Sequence, residues 1–223
     1  MVRAFVFCVT LLGGVMSALC VKAQESYDKV ALGFESTHVT YDEDPTDVTK
    51  GISLGYAHGF GLSPNIPLFI ETGAKLAWTH SVTHRNESLL SSTEKVDFLN
   101  VSLPVDFGYK FGFFSDNLGL MLFTGPNFRF NVIGRRQMTI GEKEKHYDSE
   151  NFLKRDTDYA ANIFQFGWRL GATVSHGPFS IGYALTYDFT DYRDVASVNS
   201  FSHTKHFGEH KTASHSLTIG YTF

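Results

Sequence analysis

Eight charged side chains stand in segments that otherwise alternate large apolar residues with small ones: Glu35, Glu71, Asp106 and Asp188, and Lys75, Lys110, Arg129 and Arg169. Each falls on the face opposite the large apolar residues. An unpaired buried charge is very costly, whereas interleaved, hydrogen-bonded pairs are tolerated. Four acids against four bases on matching faces therefore point to ion pairing. Such a set can close an interior as a network of salt bridges. With water between its members, it could instead line a narrow path for ions or protons. A second constellation is His203, His206 and His210, with Glu209 beside them and His215 beyond. The spacing H-x2-H-x3-H could gather imidazoles around zinc, copper or haem iron. No cysteine or carboxylate motif sharpens it, and surface loops are often histidine-rich, so no cofactor is expected. A third is basic: Arg135 and Arg136 with Lys143, Lys145, Lys154 and Arg155, whose geometry suits phosphate. Glu142, Glu144, Asp148, Glu150, Asp156 and Asp158 dilute that charge, so a solvated loop is the expectation.

The elements that position these residues are strands. At the C-terminal end Leu217, Ile219, Tyr221 and Phe223 fall on one face, and Ser216, Thr218, Gly220 and Thr222 on the other. Successive strand side chains point to opposite faces, so this period is a strand signature. The same dyad recurs at Val30 to Glu35, Ile52 to Ala57, Leu68 to Trp78, Leu99 to Lys110, Leu118 to Val132, Phe164 to Val174 and Phe179 to Thr190. Pro126 interrupts the fifth of these and predicts a kink or bulge. Short connections (59–67, 112–117, 176–178) alternate with longer polar ones (40–50, 80–94, 134–158, 191–212).

Residues 1–23 read as a signal peptide. Arg3 gives a basic start, Ala4 to Val21 is apolar, and Val21-Lys22-Ala23 is a small-x-small cleavage site, leaving 24–223 as one domain. Leu19 before Cys20 argues against a lipoprotein, and both cysteines, Cys8 and Cys20, lie in this segment. The exported part is thus expected to carry neither thiol nor disulfide. With 19 Lys and Arg against 23 Asp and Glu, the net charge is −4, and removing Arg3 and Lys22 makes it −6. That balance excludes a general nucleic-acid partner. Past the N-terminus no apolar run is long enough for a membrane helix.

The faces opposite the large residues carry Gly, Ala, Ser and Thr with a few charges, too small for a globular core. A soluble lipocalin-like barrel hides its large apolar residues inside. Here the pattern is inverted, and the loop asymmetry is that of barrels with short periplasmic turns and long extracellular loops. The expected fold is all-β, a single transmembrane antiparallel up-and-down barrel of about eight strands. Trp78, Trp168, Tyr109, Tyr187, Tyr221 and Phe223 are then expected in interfacial girdles.

With these features in place, the chain resembles the small outer-membrane barrels of the OmpA/OmpX type. Asn100-Val101-Ser102-Leu103-Pro104-Val105, followed by Phe107-Gly108-Tyr109-Lys110, is similar to the mid-barrel strand of the porin-like outer-membrane β-barrel family common in Bacteroidetes. So is Thr124-Gly125-Pro126-Asn127. The last strand, with Tyr221 and Phe223, resembles the insertion signal of that class. The resemblance implies a bacterial outer-membrane location, with outer-membrane lipids, lipopolysaccharide and the barrel-assembly machinery as partners. Its motifs are structural and carry no chemistry. The lipid A deacylase barrels use His-x-Ser with a Glu; this sequence has no His-x-Ser, and His80-Ser81 and His215-Ser216 would point to opposite faces. The expected role is non-enzymatic: envelope structure or surface interaction through polar extracellular loops with an unknown ligand. A narrow porin-like channel is the alternative, with a loop-based adhesin or a metal or haem binder behind it.

Overall fold

A computed structural model of the protein describes residues 26–40, 47–62, 66–87, 90–112, 118–140, 162–190 and 211–223. The dyad segments form eight strands: β1 (Ser26–Thr40), β2 (Asp47–Gly61), β3 (Leu68–Glu87), β4 (Leu90–Gly112), β5 (Leu118–Ile140), β6 (Phe164–His176), β7 (Phe179–Asp188) and β8 (Lys211–Thr222). Each pairs antiparallel with the next, and β8 returns to β1, so the sheet closes without an edge around the barrel. A hydrogen-bonded row that starts at Ser26 runs through Phe60, Ile70, Phe107, Thr124, Leu170, Leu185 and His215 and re-enters β1 at Ser36. That ten-residue stagger belongs to strongly tilted strands, roughly 35–45° from the axis.

Burial is inverted relative to a soluble protein. Leu32, Ile52, Leu170 and Ile219 are each at least 60% exposed, whereas Gln165, Thr212 and Asp188 are at most 1% exposed. Along β7 the alternation is unbroken, with Phe179, Ile181, Tyr183, Leu185 and Tyr187 outward and Ser180, Gly182, Ala184, Thr186 and Asp188 inward. No helix among the described residues is long and apolar enough to cross a membrane. The strands do so instead, because in a closed sheet every backbone polar group is paired. Aromatic rings cluster toward both ends of the apolar band. Tyr221 stacks on Phe223 and meets Phe179 at the short-turn end; Phe128–Phe166, Phe130–Phe164 and Phe166–Phe189 pair toward the other. The β6–β7 turn takes Gly177 at φ 55°, a left-handed conformation that glycine adopts without steric cost.

Two expectations about the strands are corrected. Residues 80–94, expected as a loop, are largely ladder: Ser81 pairs with Val96 and Glu87 with Leu90, while β5 continues to Ile140 opposite Ser92. Beyond the lipid both faces of a strand can be polar, so the apolar alternation fades while the pairing persists. Pro126 causes no bulge. It pairs in register with Trp168 of β6, and the β4–β5 register is the same on either side of it. The shift falls between Leu99 and Asn100, where Val132 is the extra residue of β5 and both Val132 and Ile133 face outward.

Candidate functional site in the barrel lumen

Inward positions of all eight strands converge on a chain of ion pairs. Nearest the short-turn end, Glu71 of β3 takes Lys29 Nζ of β1 on both oxygens (2.6 Å each) and accepts a hydrogen bond from the Tyr27 hydroxyl (2.9 Å). Close by, Asp106 of β4 holds Arg169 Nη1 of β6 at 2.7 Å, and the guanidinium lies over the Phe123 ring at 4.9 Å. Higher in the barrel, Glu35 Oε1 receives Lys75 Nζ (3.0 Å) and the hydroxyls of Ser53 (2.7 Å) and Ser216 (2.8 Å). Toward the opposite end Arg129 of β5 meets Asp188 of β7 at 2.9 Å and donates to Ser214 Oγ at 2.9 Å. Thr212 also donates to Asp188, Gln165 to Thr212 (3.2 Å), and Asn131 to Gln165 (3.3 Å). This last layer thus spans β5, β6, β7 and β8 by side chains alone.

The lumen narrows along the same direction. At the short-turn mouth a cavity of about 610 Å³ is lined by Tyr27, Lys29, Phe69, Glu71, Lys110 and Met121 among others. Midway, between Lys75, Phe123, Arg169 and Ala184, the free volume is about 60 Å³. Around Arg129, Asn131, Gln165 and Thr212 it is about 20 Å³. A cavity of about 10–15 Å³ on this measure holds a single water, so the uppermost layer leaves room for about one. Among the described residues Asp106 Oδ1, Asp188 Oδ1 and Arg129 Nε have no hydrogen-bond partner.

Seven of the eight charged residues singled out in the sequence meet in these pairs. Lys110 does not. It is exposed at the vestibule with its Nζ 5.9 Å from the Phe69 ring centre, and Lys29 serves as the fourth base. The signal for Lys29 lies in the strand parity: it is in phase with Ala31, Gly33 and Glu35, but β1 begins at Ser26, four residues before the first apolar outward residue, Val30. Tyr221 and Phe223 face outward at the end of β8, where the Phe223 backbone pairs with Asp28. His203, His206, His210 and residues 1–23 lie outside the described residues, as does the basic loop beyond Ile140. Among the described residues no three metal-ligating side chains gather. His215 instead shares a 2.6 Å hydrogen bond with the Tyr183 hydroxyl, and its ring lies 5.5 Å from that of His38. His80 faces outward with Nδ1 2.8 Å from Asp97, while its neighbour Ser81 is buried inside.

A closed sheet with an apolar exterior and a polar, charge-paired interior defines a transmembrane β-barrel. Residues 22–192 match the model of the outer membrane protein beta-barrel domain, and the chain belongs to that family of the bacterial outer membrane. Among solved structures, it is similar to the attachment invasion locus protein Ail of Yersinia pestis, with 14% identity, a TM-score of 0.44, and coverage of 90% of this chain and 100% of that one. It is likewise similar to Neisserial surface protein A, at 11% identity, TM-score 0.44 and the same coverage. The outer membrane enzyme PagL is similar at 11% identity and TM-score 0.40, over 85% of this chain and 98% of that one. No curated protein sequence matches the chain.

Proposed function

We propose that the protein is a non-enzymatic, non-conducting outer-membrane barrel that holds polar extracellular segments at the cell surface, for envelope structure or contact with an external ligand. The observation that carries this reading is the uppermost lumen layer. Arg129, Asp188, Thr212, Gln165 and Asn131 interlock by hydrogen bonds around a space of about 20 Å³. Solutes cannot pass such a layer without breaking it. The extracellular side is also built out, since β4 and β5 are 23 residues long where β7 is 10. A tilted strand needs only about 9–11 residues to cross the hydrocarbon. Export by residues 1–23 and insertion through Tyr221 and Phe223, read by the barrel-assembly machinery, belong to the same reading.

A narrow channel is the second reading, and the vestibule of about 610 Å³ favours it, because among the described residues the upper layers alone separate that space from the other end of the barrel. Planar-bilayer recording separates the two. The intact protein is expected to pass negligible current; steady, nanosiemens-scale conductance from it would establish the channel.

A further inference from the structure

Four described histidines fall into two kinds. His58 and His80 are each held by a carboxylate, Asp28 at 2.9 Å and Asp97 at 2.8 Å, so their imidazoles are already engaged. His38 and His215 have no carboxylate within ion-pair distance among the described residues and stand against each other. His38 is in phase with Leu32 and Phe34 on β1, and His215 with Leu217 and Ile219 on β8, so both face outward. They lie just beyond Phe34 and Leu217, at the end of the barrel away from the short turns. Ser36 is opposite His215 and Ala213 opposite His38, which makes the two histidines a diagonal pair across the ladder. Diagonal neighbours on one face are about 7–8 Å apart, within reach of ring side chains.

The rings meet with their centres 5.5 Å apart and their planes at 84°. That separation matches two imidazoles on one metal ion. With metal–nitrogen bonds of about 2.0–2.1 Å and a ring centre about 1.1 Å further on, a tetrahedral angle puts the two centres about 5.2 Å apart. His215 is also oriented for such an ion. Its Nδ1 is 2.6 Å from the Tyr183 hydroxyl of β7. With the proton on Nδ1 and donated to Tyr183, the lone pair falls on Nε2 and the ring keeps one orientation. Metal-bound histidines usually have an outer partner of this kind, which fixes the tautomer and makes the ligating nitrogen more basic. His38 makes no hydrogen bond among the described residues, so its ring is available to turn to the same ion.

We propose that His38 and His215 together bind a divalent transition-metal ion on the outer surface of the barrel, with Tyr183 as the positioning residue and water in the remaining coordination positions. The donor set is two imidazoles, which selects Cu2+ ahead of Zn2+ and disfavours oxygen-seeking Mg2+ and Ca2+. Two protein ligands with open positions make an exchangeable capture site; a structural zinc takes four. The site lies on the outward side of β1 and β8, apart from the lumen network, and does not depend on whether the barrel conducts.

The test uses the untagged protein purified from outer membranes into neutral detergent micelles and titrated with Cu2+ against glycine as competitor. Electron spin-echo spectroscopy then counts the imidazoles on the bound ion. The unmodified protein is expected to hold Cu2+ on two imidazoles. His38→Gln and His215→Gln are each expected to leave one imidazole and weaken binding about 100-fold, and Tyr183→Phe to keep both and weaken it about 10-fold, the low end for an outer-shell partner. Combined replacement of His203, His206 and His210 by Gln is expected to change neither affinity nor imidazole count. The heat-dependent gel shift of the folded barrel checks that each variant is native. Full affinity in His38→Gln, a single imidazole on the ion in the unmodified protein, or loss of binding in the triple loop variant overturns the proposal. So does displacement of Cu2+ by millimolar Mg2+, which would mark an oxygen-ligand site instead.

Discussion

The two ends of the lumen hold similar ion pairs in dissimilar surroundings. Lys29 and Glu71 meet at 2.6 Å beside a vestibule of about 610 Å³, whereas Arg129 and Asp188 meet at 2.9 Å beside about 20 Å³. The shorter contact is in the more open place, so contact distance does not decide closure. What differs is the neutral company. Asp188 also takes Thr212, and Thr212 passes the chain to Gln165 and Asn131, so two further strands, β6 and β8, reach across the bore. At the lower end Gly177, Ser26, Ser175, Ser180 and Thr222 line the mouth, and none of them is long enough to cross it. A charge pair fixes two strands; closure needs medium-length neutral side chains to bridge the rest.

Arg129→Ala should be the most damaging change of the comparison. It leaves Asp188, 0% exposed, without its cation and removes a donor from Ser214. Breaking a buried pair from one side costs about 3–5 kcal/mol. Urea unfolding of the barrel in micelles should read that loss, and the emptied space should admit a small current in a bilayer. Unchanged stability together with zero current would mean that the layer is held by its neutral members alone.

Leu185→Arg comes next and tests which side is lipid. Leu185 faces outward on β7 next to Ala184, which is only 2% exposed inside. A cation near the bilayer midplane costs about 2–4 kcal/mol, and the loss should appear as reduced folding yield into thicker bilayers. Leu103→Arg on β4 should behave alike. Ala184→Arg should fail by overfilling the lumen, with a loss that does not vary with bilayer thickness.

The outer half of this comparison was legible in the sequence and the inner half only partly. Lipid enforces large apolar residues at every second position, so β7 and β8 could be placed from alternation alone. Where that pressure ends, the signal ends: Ser81–Glu87 and the far end of β5 are ladder without an apolar face. Charged lumen residues stand out against glycine and serine, which exposed Glu35, Glu71, Asp106 and Asp188. Pairing is another matter, because which base meets which acid depends on the ten-residue stagger of the closed sheet. That stagger brings Arg129 of β5 to Asp188 of β7, a contact between strands that are not neighbours. Thr212, Gln165 and Asn131 escaped for a simpler reason, since a neutral polar residue facing inward looks the same whether or not it bridges.

Glu71→Ala should be milder than Arg129→Ala. Its partners Lys29 and Tyr27 border the vestibule, and the side chains of Lys29 and Glu71 retain 14% and 9% exposure. Water can replace the lost carboxylate there, so the expected cost is about 1–2 kcal/mol, between a surface pair and a dry one. The bilayer current should stay negligible, because the upper layer is untouched. A loss as large as that of Arg129→Ala would show that the vestibule is drier than its volume implies.

The smallest effect separates two lysines that line the same mouth. Lys29 and Lys110 both border the vestibule, yet only Lys29 faces a carboxylate; Lys110 lies over Phe69, its Nζ 5.9 Å from the ring centre. An exposed cation over a ring contributes about 0.5–1 kcal/mol at most, and its stem can be replaced by water. Lys110→Ala should therefore change the unfolding midpoint within error, while Lys29→Ala strands Glu71 and should lower it about as much as Glu71→Ala does. In the double variant Lys29→Ala with Glu71→Ala the two losses should be less than additive, since the second change removes the charge that the first left unpaired. Lys110→Ala combined with Glu71→Ala should be strictly additive. Non-additivity of that second pair would sink the assignment, for it would mean that Lys110 reaches Glu71 in the folded barrel and joins Lys29 and Tyr27 around it.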